Sequence, residues 1–156
     1  MTRQQKYPDT TVFHYHNENP KGRITGDCRI RGLATATGID YNKIVLALAV
    51  IQIETGYDQC APDGISILMD RLGWTKQKMP VKPNGKRYTL KEFCKIQQKH
   101  LQDKETVGMR TAEGIVISPR IFCNCLCRHE LAIVDGKVWD IWDSTGKFVG
   151  NYWTKG

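Results

Sequence analysis

Apolar residues follow a helical spacing in the first half of the chain and an alternating spacing near its end. Ile30, Leu33 and Ala34 recur at intervals of three and four, as one face of a helix does. Asp27 precedes this segment and can cap its free N–H groups, and Gly38 can end it in a left-handed conformation. The pattern predicts a helix between these two residues.

Three further helices follow in the sequence. A segment from Tyr41 to about Thr55, capped by Asp40, is apolar nearly all round, which predicts a helix at the centre of the core. Pro62 suits the first turn of the next helix. The run from Thr89 to Glu92 is a capping box and opens the last one.

The pattern changes to β after residue 114. The segments 130–134 and 138–142 flank Asp135-Gly136, a strong hairpin signal. Segments 115–118 and 147–153 are also candidate strands, and "TVFHYH", residues 11–16, alternates like an edge strand. Helices first and an antiparallel sheet afterwards predict an α+β fold, with N-terminal helices packed on a C-terminal antiparallel sheet in a single domain, residues 1–156.

Composition narrows the functional classes. The chain has 156 residues, a net charge of +7 and six cysteines. Its longest apolar run, Ile44 to Ile53, is too short to span a membrane, and the N-terminus lacks an apolar signal region. We therefore expect a cytoplasmic protein with reduced thiols. The charge favours an acidic protein or peptide partner over nucleic acid, because the basic residues between Lys76 and Lys104 lack interleaved aromatics.

Cys28 occupies a position that suits a nucleophile. A thiol in the first turn of a helix lies at the positive end of the dipole and near unpaired N–H groups, which lower its pKa. Its own backbone N–H points to where an oxyanion would form, and Gly26 leaves room for a substrate. The alternative is that Cys28 is simply a small buried apolar residue.

His129 is the histidine best placed to serve as a base. It opens a strand whose hairpin returns two carboxylates, Asp140 and Asp143, to its neighbourhood. A carboxylate beside a histidine fixes its tautomer and orientation.

Two hairpin registers are possible, and each selects a different carboxylate. If Val134 pairs with Val138, the histidine lies opposite Asp143. If Val134 pairs with Lys137, the histidine shares a face with Asp140. We favour Asp143, because it closes the second strand level with the histidine that opens the first.

The order of these residues resembles a known superfamily. A helix headed by cysteine, a long insert, a strand headed by histidine and a neighbouring acidic strand resemble papain-like cysteine peptidases and transglutaminase-like proteins. More closely, "NPKGRITGDCRIRGLATATG" with "HELAIVDGKVWDIWDS…VGNYW" is similar to small phage and bacterial peptidase-like proteins. The resemblance covers about residues 12–45 and 112–154. It implies Cys28 as nucleophile, His129 as general base and acid, Asp143 as the orienting group, and no cofactor.

One position departs from the papain-like pattern. Those enzymes place a glutamine shortly before the nucleophile to complete the oxyanion hole, but no glutamine lies between Tyr7 and Cys28. Asn19 is the nearest amide and our candidate donor. We expect a thiol hydrolase acting on peptide or isopeptide bonds, or alternatively an inactive binding or inhibitory protein on the same fold, encoded by a phage.

The run "CNCLCRH" allows other chemistry. Cys123, Cys125 and Cys127 alternate, so on a strand they point the same way. They are candidates for zinc binding with His129, Cys60 or Cys94, for redox-sensitive pairs, or for a row of buried apolar thiols. Because the C-x-C spacing fits the usual zinc knuckle poorly, no metal site is predicted.

Overall fold

The computed structural model describes residues 1–126 and 128–156, and it is an α+β fold. The helices are α1 (Arg3–Lys6), α2 (Cys28–Thr37), α3 (Tyr41–Thr55), α4 (Pro62–Arg71) and α5 (Leu90–Leu101), with a short 3₁₀ turn at Lys104–Thr106. The strands are β1 (Phe13–Tyr15), β2 (Trp74–Gln77), β3 (Arg120–Cys125), β4 (His129–Val134), β5 (Lys137–Asp140) and β6 (Val149–Lys155).

The six strands form one mixed sheet in the order β1-β5-β4-β3-β6-β2. β1 pairs with β5 in parallel, and the other neighbours pair antiparallel. The edge strand predicted at residues 11–16 is present as β1, although it pairs in parallel. The expected C-terminal antiparallel sheet left out β2, a short strand from the first half of the chain that pairs with β6 at the other edge.

Helices cover both faces of the sheet, and β4 shows how. Its residues alternate between two apolar clusters, because successive side chains of a strand point to opposite faces. Leu131 and Ile133 belong to the cluster that contains α5, whereas Ala132 and Val134 belong to the cluster that contains α2, α3 and α4. The N-terminal helices thus pack on one face only, and α5 packs on the other.

The local signals in the sequence placed most helices correctly. Gly38 ends α2 at φ 73°, and the side chain of Asp40 accepts hydrogen bonds from the first N–H groups of α3. The capping box at Thr89 is present at the start of α5. The Asp135-Gly136 turn joins β4 and β5, and both of its residues have positive φ.

Two elements differ from the sequence expectations. Residues 115–118 are buried but form only an isolated bridge at Val116, so the strand predicted there was wrong. The helix α3 is not at the centre of the core either. Only Ile44, Leu48 and Ile51 of α3 are buried, so much of its apolar surface faces outward.

The helix α2 lies close against the sheet. A Cβ on Gly32 would come within 3.0 Å of the Phe122 ring and 3.1 Å of the Leu131 backbone. A helix can approach strands this closely only where it lacks a side chain. This contact sets the distance between α2 and β4.

No single helix in the described residues is long and apolar enough to cross a membrane; α2 and α3, bent by 114° to each other, pass only when taken together.

Candidate active site

Cys28 is the first residue of α2, and its sulfur opens into a cleft of about 720 Å³. The N–H groups of the first helical residues have no partner within a helix, so the amide of Cys28 is available to a ligand in the cleft. The same cleft is lined by Gln59, Cys60, Asn124, Leu126 and Arg128, among others.

The thiol of Cys28 contacts the imidazole of His129. Burial raises the pKa of Cys28, but hydrogen bonds from the His129 ring and the Glu130 backbone outweigh that effect and lower it from 9.0. Burial also disfavours a charged His129, yet hydrogen bonds to Asp140 and Cys28 raise its pKa to about 10. Both shifts act in the direction of a thiolate beside an imidazolium.

Asp140 orients the histidine. Nε2 of His129 is hydrogen-bonded to Oδ2 of Asp140, which leaves Nδ1 for the sulfur. The Asp140 side chain is 1% exposed and also accepts the Ile141 N–H at 2.7 Å. Cys28, His129 and Asp140 therefore form a continuous hydrogen-bonded chain from thiol to carboxylate.

Asp143 does not take the position that we favoured for it. Val134 pairs with Lys137, which is the second of the two registers considered and places Asp140 on the face of the histidine. The carboxylate of Asp143 instead accepts hydrogen bonds from the N–H and hydroxyl of Thr145, at 3.0 and 2.6 Å, within the following turn.

A buried arginine holds the carboxylate of Asp140 from the other side. Arg31 lies one helical turn after Cys28 and is 6% exposed. Its Nη1 donates to Oδ1 of Asp140 at 3.0 Å, and its Nε donates to Oδ1 of Asp27 at 2.7 Å. Burying an arginine is unfavourable unless carboxylates surround it, as they do here.

Asp27 serves this network and does not cap the helix. Its side chain makes no capping hydrogen bond; it accepts from Arg31, from the Tyr41 hydroxyl at 2.7 Å and from the Asn19 amide at 2.9 Å. Burial opposes the charge, but these donors lower the pKa of Asp27. The expected cap is thus corrected to an ion-pair partner of Arg31.

Asn19 is also not placed as an oxyanion donor. Its amide nitrogen donates to Asp27 at 2.9 Å and lies 3.5 Å from the Tyr41 hydroxyl, and the residue lines a different cavity from Cys28. The amide side chains that do line the cleft are Asn124 and Gln59.

A second ion pair fixes one wall of the cleft. Arg29, next to the nucleophile, contacts both carboxylate oxygens of Glu130, with Nη2 to Oε1 at 2.7 Å. Its Nη1 also donates to the backbone oxygens of Gln59 and Ala61. Arg29 thereby ties the 57–61 loop to the strand that carries His129.

The thiols buried in the core differ from Cys28 in their burial and in the residues that surround them. Cys94, Cys123 and Cys125 are at most 1% exposed and lie in the apolar cluster under α5. Burial raises the pKa of Cys94 to about 12, and the neighbouring Cys123 with burial raises that of Cys125. Among residues 1–126 and 128–156, no group of three or more His, Cys, Asp or Glu side chains is placed to hold a metal. Cys127, the third cysteine of the motif, lies outside the described residues.

Sequence reasoning missed Arg31 and Arg29. Their signal is positional: Arg31 follows Cys28 by three residues, so both reach the same side of the helix. Arg31 also has a local partner, Asp27, but the sequence does not show that Arg29 meets Glu130 or that Arg31 meets Asp140, because these carboxylates are about one hundred residues away.

Comparison with known proteins adds no relative: no family model, no curated protein and no solved structure matches this chain.

Proposed function

We propose that this protein is a thiol hydrolase with a papain-like arrangement of catalytic residues, acting on peptide or isopeptide bonds. One observation carries the proposal. A half-buried cysteine at a helix N-terminus contacts a histidine that is in turn held by a buried carboxylate. Cys28 would be the nucleophile, His129 the general base and acid, and Asp140 the orienting group.

The reaction follows from the charges of the resting pair. The thiolate of Cys28 attacks the acyl carbon, and the carbonyl oxygen becomes an oxyanion. His129, whose raised pKa favours the imidazolium, gives its proton to the leaving amine as the C–N bond breaks, which leaves a thioester. A water molecule then attacks the thioester while His129 takes a proton from it. The carboxylic acid leaves, and the thiolate and imidazolium are restored.

The oxyanion is assigned to the backbone N–H of Cys28, which has no partner within α2 because Cys28 is its first residue. Asn124 and Gln59 line the same cleft, and their side-chain amides are the candidates for a second donor. The net charge of +7 favours an acidic protein or peptide as the substrate.

The position of Asn19 favours one alternative, a binding or inhibitory protein with slow or no turnover. The amide that the sequence predicted as the oxyanion donor is hydrogen-bonded to Asp27 and lines another cavity. In that case Cys28 would react readily with small electrophiles, yet no acyl substrate would turn over.

The experiment is intact-mass detection of adducts with a panel of peptide and ubiquitin-like electrophilic probes at near-neutral pH. We expect one adduct on Cys28, lost in Cys28→Ser and slowed about 100-fold in His129→Ala, because the imidazole supports the thiolate. The matched control is Cys60→Ser, which removes the exposed thiol of the same cleft and should leave the adduct unchanged.

Two outcomes would count against the enzyme. Equal labelling of Cys28 and Cys60 would show that Cys28 is not activated. Rapid alkylation of Cys28 by iodoacetamide in mildly acidic buffer, with no hydrolysis of any acyl substrate in the panel, would favour the binding protein.

A further inference from the structure

The outward face of α3 carries a continuous apolar stripe. Leu46, Val50 and Ile53 are 65%, 46% and 84% exposed. They are spaced four and three residues apart, the interval at which side chains line up along one side of a helix. Single exposed apolar residues are common on protein surfaces, but an aligned row marks an interaction site.

We propose that this stripe is a homodimer interface, in which α3 of one copy packs antiparallel to α3 of a second copy. With a twofold axis beside Val50, Leu46 of each copy lies beside Ile53 of the other. The same stripe then serves both partners, as an isologous interface requires. The spacing of four and three is that of helices packed along a seam.

The charges at the two ends of α3 favour a second copy of the chain as the partner, and they favour antiparallel packing of the two helices. Lys43 is exposed in the first turn, where a cation is unfavourable to the helix dipole, and Glu54 is exposed in the last turn. An antiparallel copy brings Lys43 close to the last turn and Glu54 of the other helix. A parallel copy would instead place Lys43 beside Lys43.

Glu54 already pairs with Arg71 at 2.7 Å, but both side chains are about half exposed. A surface pair of this kind contributes little, so it does not prevent Glu54 from meeting a second cation.

The length of the apolar stripe determines how tightly we expect the dimer to associate. A helix of 15 residues is about 22 Å long, so one helix pair buries less than a standard interface. We therefore expect a reversible dimer with a Kd on the order of 1 to 100 µM.

The test is analytical ultracentrifugation of the full chain from about 1 to 300 µM, a range that brackets the expected Kd. Val50→Glu places two carboxylates against each other at the axis and should weaken the dimer at least tenfold. Met109→Glu, at a residue 58% exposed outside the helix, is the matched control and should leave the dimer unchanged. Circular dichroism of each variant verifies that it is folded.

A charge exchange tests the direction of the helices. Lys43→Glu should weaken the dimer, and adding Glu54→Lys should restore it. A double variant as weak as Lys43→Glu would overturn the antiparallel arrangement. A wild-type chain that stays monomeric over the whole range, including one that instead binds phospholipid vesicles, would overturn the dimer.

Discussion

At the scale of single residues, the site depends on which of two aspartates meets His129. Asp140 and Asp143 are three residues apart, and both are plausible partners from the sequence alone. A two-residue turn at Asp135-Gly136 decides between them, since pairing Val134 with Lys137 turns Asp140 toward the histidine.

Substitution of each aspartate by asparagine separates the two roles. Asp140→Asn removes the charge that faces both His129 and Arg31, so we expect the rate constant for probe modification of Cys28 to fall about 100-fold. Asp143→Asn is the matched control; it keeps an oxygen for Thr145 and should change the rate about twofold or less. Stopped-time mass spectrometry gives both rates.

The reverse order of effects would return Asp143 to the catalytic role and contradict the hydrogen bond of Asp140 to His129. Equal and small effects would mean that neither carboxylate orients the imidazole.

Residues at the start of α2 were predictable in position but not in partner. The spacing and end signals placed Cys28 at a helix N-terminus correctly. The same signals suggested a capping role for Asp27, because an aspartate before a helix usually caps it. The buried guanidinium of Arg31 competes for that carboxylate, and only the fold shows that the arginine points inward.

At the scale of elements, the approach of α2 to β4 sets the distance between Cys28, at the start of α2, and His129, at the start of β4. Gly32 makes that approach possible, since its missing side chain leaves the Leu131 backbone in direct contact with the helix. The position of Cys28 relative to His129 therefore depends on a residue outside the cleft.

Gly32→Ala tests this dependence. The added methyl group meets Phe122 and Leu131 at 3.0–3.1 Å, so α2 must shift, and we expect a loss of about 1–3 kcal/mol in the free energy of unfolding. Urea denaturation followed by tryptophan fluorescence measures it. Gly146→Ala, where a Cβ meets nothing within 4 Å, is the control and should be near neutral. A Gly32→Ala variant as stable as wild type would show that the contact of Gly32 with Phe122 and Leu131 does not limit how closely α2 approaches β4.

Elements with strong local signals were predicted, and elements that depend on distant partners were not. The capped helices and the Asp135-Gly136 hairpin carry their signals within a few residues. β2 has only four residues and pairs with β6 about eighty positions away, so nothing local marks it. The sequence wrongly predicted that α3 lies at the centre of the core, because an apolar composition does not show which side chains pack against other elements.

At the scale of the whole molecule, the site couples folding stability to pH. The pKa of Cys28 is lowered, so its thiolate stabilises the fold fully above pH 9.0 and less as the pH falls through the folded value. The pKa of His129 is raised from 6.5 to about 10, so its imidazolium stabilises the fold fully below 6.5 and is lost as the pH rises through about 10.

Cys28→Ser should expose this coupling. Serine has no comparable anion, so the stability advantage of the wild type over the variant should be larger at pH 9.0 than at about pH 6. Taking the difference between the two proteins removes the contributions of titrating groups that do not interact with Cys28, and leaves that of the Cys28–His129 pair. Urea unfolding at the two pH values measures it, and an advantage that stays constant or shrinks would show that Cys28 is not ionised in the folded chain.

Four side chains link the thiol to the guanidinium: α2 contributes Cys28 and Arg31, and the sheet contributes His129 and Asp140. These contacts form a closed ring, which runs from the sulfur through the imidazole and the carboxylate to the guanidinium. The backbone of α2 between Cys28 and Arg31 closes it. Insertions in loops elsewhere would leave this ring intact. One residue inserted between positions 28 and 31 would rotate the guanidinium by about 100° away from its carboxylate. In any descendant of this sequence that keeps the chemistry, this first turn is therefore the segment least free to change its length.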